Sequence, residues 1–395
     1  MKKIFLTFLF VALGFSVFAV KQEAQAQEGL SPLCAALPAA ERASVPECRP
    51  RPAAKAKAPK AQPPKAKKAA PPKAKVAVVV APAVRYVVDP SGEGDATGIQ
   101  EAIIKAPVGA IIEVRAGTYE GAVVIDKTVT IIGQGNPTIV SSASNTTFST
   151  VTIKGDNRAT IEGFTIVANR SANGLKIEGG SPTIKNTTIK LNGEFRSTNN
   201  LRIGLWQTGG SPTFSRLTID GGGFALYSDA GSPQFESVTI QNALYGIAIG
   251  GTSTAKFNGV NIQDIERTSF GTGGSSAPTL ENVAITKTGR GRTSGNNAWA
   301  AVRLIETSNP EITALTISDF IGVGVSVENS ARGRLRYVRI IGASGNGNAY
   351  AISVRRDARP IIADASVQNW GTNTKYCEVA PACVGVSVNM VTPPR

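Results

Sequence analysis

The chain has 395 residues, 42 Lys and Arg against 28 Asp and Glu, and no histidine. The missing histidine excludes Ser-His-Asp and Cys-His catalysis, histidine metal ligands and histidine pH sensing. With 41 Gly, 23 Pro and only 6% aromatic residues, the composition suits many short strands joined by tight turns rather than helices. The net charge of +14 is uneven. Residues 27–85 hold 12 basic residues against three acids, whereas 86–395 hold 27 against 24, so the basicity comes mainly from a tail.

In chain order, residues 1–26 read as a secretory signal. Lys2-Lys3 forms the basic start, Ile4 to Val20 the apolar run, and Ala24-Gln25-Ala26 a small-residue cleavage site. An apolar run of that length is marginal for spanning a bilayer, so no stable membrane insertion is expected after its removal. Residues 27–49 form a short Cys-containing segment with Cys34 and Cys48; Cys377 and Cys383 lie near the C-terminus. Two local disulfides, Cys34–Cys48 and Cys377–Cys383, fit an oxidising compartment, periplasmic or extracellular. Residues 50–85 are rich in Lys, Ala and Pro. They bury too little apolar surface to offset chain entropy and read as a disordered basic linker. That linker is either a spacer or an adhesive contact with an anionic envelope polymer; export argues against a nucleic-acid partner.

The folded domain is expected over 86–390, followed by a tail, 391–395. Asp95 to Ile104 predicts a short amphipathic helix with a Thr97–Gln100 capping box. Ile111–Val114 and Val123–Ile125 read as strands. Val129-Thr130-Ile131 and Val151-Thr152-Ile153 resemble the last strand of the repeat that follows.

That repeat is the dominant feature. Gly179-Gly180-Ser181-Pro182-Thr183-Ile184 leads to Thr187-Thr188-Ile189; Gly210-Ser211-Pro212-Thr213-Phe214 leads to Leu217-Thr218-Ile219; Gly231-Ser232-Pro233-Gln234-Phe235 leads to Val238-Thr239-Ile240. The final Ile or Val recurs at 166, 189, 219, 240, 262, 285, 317, 340 and 367, a base period of ~22 residues with insertions. A third short strand precedes each turn, as in Gly174–Ile177 and Gly322–Val327. Three strands of three or four residues are unstable alone. Stacked in parallel on their copies at ~4.8 Å they form a three-sided solenoid around an apolar column. Thr130, Thr152, Thr165, Thr188, Thr218, Thr239 and Thr316 are expected on one outward rank, which the strand preference of Thr explains.

These residues, with Asp95-Ala96-Thr97, Ile99 to Ile103 and Gly117-Thr118-Tyr119, resemble the right-handed parallel β-helix proteins of the pectate-lyase-like superfamily. The resemblance implies an all-β, right-handed three-sided parallel β-helix with a short N-terminal capping helix. It is specific for fold and not for activity, because that superfamily includes lyases, hydrolases, esterases, epimerases and binders.

The variable gap always follows the Thr-Ile strand, over 190–203, 286–300, 341–350 and 368–384, which places the insertions on one edge of the rod. They bring Arg196, Arg202, Arg290, Arg292, Trp299, Tyr350, Trp370 and Tyr376. Aromatic faces can stack on sugar rings, and Arg can grip a uronate carboxylate or sulfate. Residues 290–359 add a flank of ten Arg and no Lys, with Glu311 in register with Arg334. The carboxylate pairs Asp220/Asp229 and Asp264/Glu266 are candidates for glycosidase chemistry, but no motif ties them together. No metal site is apparent, although a lyase of this group would use Ca²⁺ on carboxylates. These features predict an exported protein that binds an acidic polysaccharide or other anionic envelope polymer. The alternatives are a polysaccharide lyase or epimerase acting on uronate polymers, or a structural or adhesive envelope protein.

Overall fold

A computed structural model describes residues 83–141, 148–169, 172–193, 202–289, 299–342, 350–368 and 388–391. All of them lie in the unit Pro82–Arg395. The expected signal, the linker and all four cysteines lie outside the described residues.

The described chain is a right-handed parallel β-helix. Ten strands of three to five residues, from Val123–Ile125 to Tyr350–Val354, stack in parallel as one sheet, side one. A 17-stranded sheet forms the other two sides. From residue 183 onward most strands of this second sheet are long, 8 to 10 residues, and each bends once. In Thr183–Leu191, Ile184 and Thr187 both point inward, and between them Asn186 adopts φ 48°. The same left-handed break recurs at Arg216, Ser237, Gly259, Asn282, Ala314, Tyr337 and Asp364. Two of the three short strands read from the repeat are therefore halves of one bent strand, side two before the break and side three after it.

The recurring Ile or Val stacks in register as expected: Ile166, Ile189, Ile219, Ile240, Ile262, Ile285, Ile317, Ile340 and Val367 are successive partners. Side two contributes a parallel column in which Phe214, Phe235 and Phe257 stack face to face at 4.6 and 4.5 Å. All these residues are buried, each worth ~1.5–3 kcal/mol relative to exposure. The Gly-Ser-Pro turns also stack, with Ser211 N donating to Gly180 O and Ser232 N to Gly210 O. The polar core residue Gln207 donates to the carbonyls of Gly209 and Ala230 at 2.7 Å.

Four local expectations are corrected. Val129–Ile131 belongs to side two, where Thr130 partners Thr160. Val151–Ile153 belongs to side one, where Thr152 partners Lys176. Thr130 and Thr152 therefore leave the outward Thr rank, which runs Thr165, Thr188, Thr218, Thr239 and then breaks at Asn261 and Ala284. The helix spans Ile99–Lys105 and has no side-chain cap. Gln100 instead accepts from Val124 N at 2.6 Å, and Glu101 accepts from Thr97 N. Finally, Val367 partners Met390, 23 residues on, so the segment expected as an insertion at 368–384 fits one ordinary period.

The corner from side one to side two runs through left-handed Gly180, Gly210, Gly231, Gly251 and Gly274, then through Glu306, Asn329 and Arg356. A Cβ on Gly231 would lie 2.1 Å from Gly210 O. Gly231→Ala is therefore expected to destabilise by at least ~1 kcal/mol, seen as a lowered melting temperature by circular dichroism. An unchanged melt would contradict the stacked-corner geometry.

Candidate functional site

Side three hands the chain to side one at a second corner, and the inserted segments sit here. The chain leaves at Leu191, Thr288 and Ile341 and returns at Ile203, Ala300 and Tyr350. Of the residues expected to form the site, Arg196, Arg290, Arg292, Trp370 and Tyr376 lie outside the described residues. The structure places Arg202, Trp299 and Tyr350.

Arg202 is not presented to solvent. It is 2% exposed, and its guanidinium donates to the carbonyls of Ala172 at 3.1 Å and of Ala168 and Asn192 at 2.5 Å. Burial lowers its pKa from the ordinary arginine value. It ties together three backbone segments at the insertion corner, which is a structural task.

Trp299 belongs to a cluster that the sequence reading missed. Phe224 stacks on Tyr245 at 4.8 Å, and Tyr245 meets Trp299 edge to face at 5.9 Å. Arg267 lies over both rings, 5.3 Å from Tyr245 and 4.8 Å from Trp299. Its Nη1 donates to the Tyr245 hydroxyl at 2.6 Å. Burial raises the Tyr245 pKa; the hydrogen bond and charge of Arg267 oppose that shift without reversing it. The phenol is thus protonated at neutral pH. Arg267 is half-buried and has no carboxylate partner among the described residues. Its remaining N–H groups are free to meet an anion. Positions 224, 245, 267 and 299 follow one another at one period, the last step lengthened by an insertion, so the repeat itself could have revealed the cluster. Tyr350 stands on the same edge of side one, in register with Val323, but makes no ring contact with the cluster.

The outward face of side one carries further cations, and these are neutralised. Lys176 lies 4.6 Å over the Trp206 ring and pairs with Glu178 at 2.5 Å. Arg303 holds Glu328 by two hydrogen bonds of 3.1 Å, and Ser326 adds a third at 2.9 Å. Burial alone would raise the Glu328 pKa, but Arg303, Ser326 and Arg355 together bring it below the ordinary 4.5.

Asp220 and Asp229 do not form a catalytic couple. Asp220 and Asp229 flank the strand Phe224–Ser228, which spans ~16 Å, beyond the ~5–10 Å a glycosidase needs. Asp220 accepts from Asn242, Asp229 accepts from the Tyr227 hydroxyl, and Asp264 faces Lys287 at 3.6 Å. Among the described residues no three carboxylate or thiol groups converge as metal ligands.

Residues 245–369 match the family described as Right handed beta helix region. No curated protein matches the sequence. Among solved structures, the chain is similar to the pectate lyase Pel9A at 13% identity, covering 75% of this chain and 79% of that one, with a TM-score of 0.44. It is similar to an alginate lyase from Paenibacillus sp. str. FPU-7 at 12% identity, covering 71% and 96%, TM-score 0.41. A pectin methylesterase from Aspergillus niger is 16% identical, covering 76% and 91%, TM-score 0.39. Likeness at this level concerns the coil and carries no argument about chemistry.

Two outcomes follow from the site geometry. Arg202→Met removes a buried guanidinium's hydrogen bonds to three backbone carbonyls and is expected to destabilise by about 2–4 kcal/mol in thermal melts. Glu328 has a depressed folded pKa, so its contribution is present above the unfolded value and lost as pH falls through the folded one. The melting-temperature gap between wild type and Glu328→Gln is therefore expected to hold from neutral pH down to 4.5 and to close below it. A gap that closes while the pH is still above that value would refute the pairing.

Proposed function

We propose that this β-helix protein is exported and binds an acidic polysaccharide of the envelope or matrix at the corner that carries the insertions. The observation that supports this reading is Arg267: a half-buried cation between Trp299 and Tyr245, without a carboxylate partner among the described residues. A uronate carboxylate can accept from its unused donors, with the sugar ring against the indole. Arg196, Arg290, Arg292, Tyr350, Trp370 and Tyr376 are further contacts in this proposal. Residues 1–26 serve as its export signal, 50–85 as a basic spacer, and the cysteine pairs Cys34–Cys48 and Cys377–Cys383 as disulfides of an oxidising compartment. No helix among the described residues is long and apolar enough to cross a membrane.

A second reading, lyase or epimerase, draws on the 2.6 Å contact between Arg267 and Tyr245, a pairing that could serve base chemistry. The raised phenol pKa opposes Tyr245 as a base at neutral pH.

Calorimetric titration with polygalacturonate, and with dextran as the neutral control, tests the first reading. Wild type is expected to bind the polyuronate alone, and Trp299→Ala or Arg267→Gln to weaken it roughly tenfold or more. Polyuronate affinity that both substitutions leave intact would remove the site from this corner. Accumulation of unsaturated product, or NMR evidence of epimerised residues, would establish the second reading instead.

A further inference from the structure

Half of the ten-arginine flank, Arg332, Arg334, Arg336, Arg339 and Arg359, is not absorbed by the corner site. The strand Arg332–Ile341 alternates so that Arg332, Arg334 and Arg336 are exposed on side two, about 6.8 Å apart. Beyond the left-handed Tyr337, Arg339 is exposed on side three, and on the next turn Arg359 stands in register with Arg332. Like charges so placed destabilise a sheet. Among the described residues, Arg332, Arg334, Arg336 and Arg359 have neither an ion pair nor a side-chain hydrogen bond. Glu311 is in register with Arg334, yet the two form no ion pair. Earlier turns at these positions are mixed: Gln234, Lys256, Thr279 and Glu311 precede Arg334, and Glu236, Asn258, Glu281 and Thr313 precede Arg336.

We propose that this arginine rank is a second binding site, on a different side of the rod from the corner cluster, for a linear polyuronate. Two features select that occupant. The cations are in line and make no ion pair among the described residues, which suits a polymer of repeating anionic groups. They are also all Arg, over a stretch without Lys, which suits planar two-point gripping of carboxylates rather than diffuse attraction. The inference takes its ligand class from the reading above and gives the same polymer a second hold, so that one rod engages two chains or two stretches of one.

The test titrates polygalacturonate, and separately phosphatidylglycerol vesicles, into the full chain, the triple variant Arg332→Gln/Arg334→Gln/Arg336→Gln, the corresponding triple Lys variant, and Trp299→Ala. The basic segment 50–85 is common to all four, so affinity ratios report the substituted positions. Melting temperatures check folding; the Gln variant is expected to melt no lower than wild type, because it relieves the Arg332–Arg359 repulsion. The Gln variant is expected to bind polygalacturonate roughly tenfold more weakly, and the Lys variant severalfold more weakly. Wild-type affinity in the Gln variant overturns the inference, and wild-type affinity in the Lys variant reduces it to charge alone and overturns it equally. Loss of vesicle binding with polygalacturonate binding unchanged would assign the rank to a lipid surface instead. If the Gln variant weakens binding and Trp299→Ala does not, the corner reading fails and the rank stands; the converse removes the rank. A wild type that binds no polyuronate removes both.

Discussion

Each turn of this protein has to satisfy the edge of the turn before it. Backbone groups on all three sides pair in parallel with a copy about 4.8 Å away, so a residue's neighbours are set by its position in the period. That single requirement explains the columns of Ile, the stacked Phe rings and the aligned Gly-Ser-Pro turns. It also explains why the corners use left-handed residues. The chain must change direction within one residue without leaving register, and φ near +55° does this between Ile184 and Thr187 and at the equivalent point of each later turn. Extra residues are tolerated only where a strand has finished pairing, hence the insertions between side three and side one.

The same constraint shapes the chemistry. Where an insertion begins and ends, Arg202 reaches inward and donates to three backbone carbonyls, one of which, Ala168, also keeps its regular bond from Asn192 N. At the same corner Phe224, Tyr245 and Trp299 form a ladder of rings, and Arg267 inserts among them. Two arginines at one corner thus have different roles, because one meets carbonyls and the other meets aromatic faces. Arg303 shows a third outcome, neutralised by Glu328 one turn on.

The period was legible in the sequence because inward Ile and Val positions tolerate little else, so the nine-member column recurs visibly and is in register. The side to which an isolated Val-Thr-Ile belongs was not legible. Strands on all three sides alternate alike, and only the count of residues to the next turn separates Val151–Ile153 from Val238–Ile240. The capping box failed for a tertiary reason: the Val124 amide claims Gln100. Arg202 read as a surface residue because nothing local marks a buried guanidinium whose acceptors are all main-chain carbonyls. Tyr245 and Arg267 were readable in principle, one period apart, but neither lies in an insertion, the feature that marks the binding edge in the sequence. The rank of unpaired arginines was visible in composition; its lack of acidic partners required coordinates.

The corner between side one and side two changes character along its length. Over the turns of Gly180, Gly210, Gly231, Gly251 and Gly274 the backbones are too close for any side chain, and over those of Glu306, Asn329 and Arg356 they are not. Mutation can therefore explore very little on the first stretch of this edge and a great deal on the second. Drift in surface chemistry should accumulate toward the C-terminal coils, leaving the glycine-lined coils as the inherited part of the scaffold.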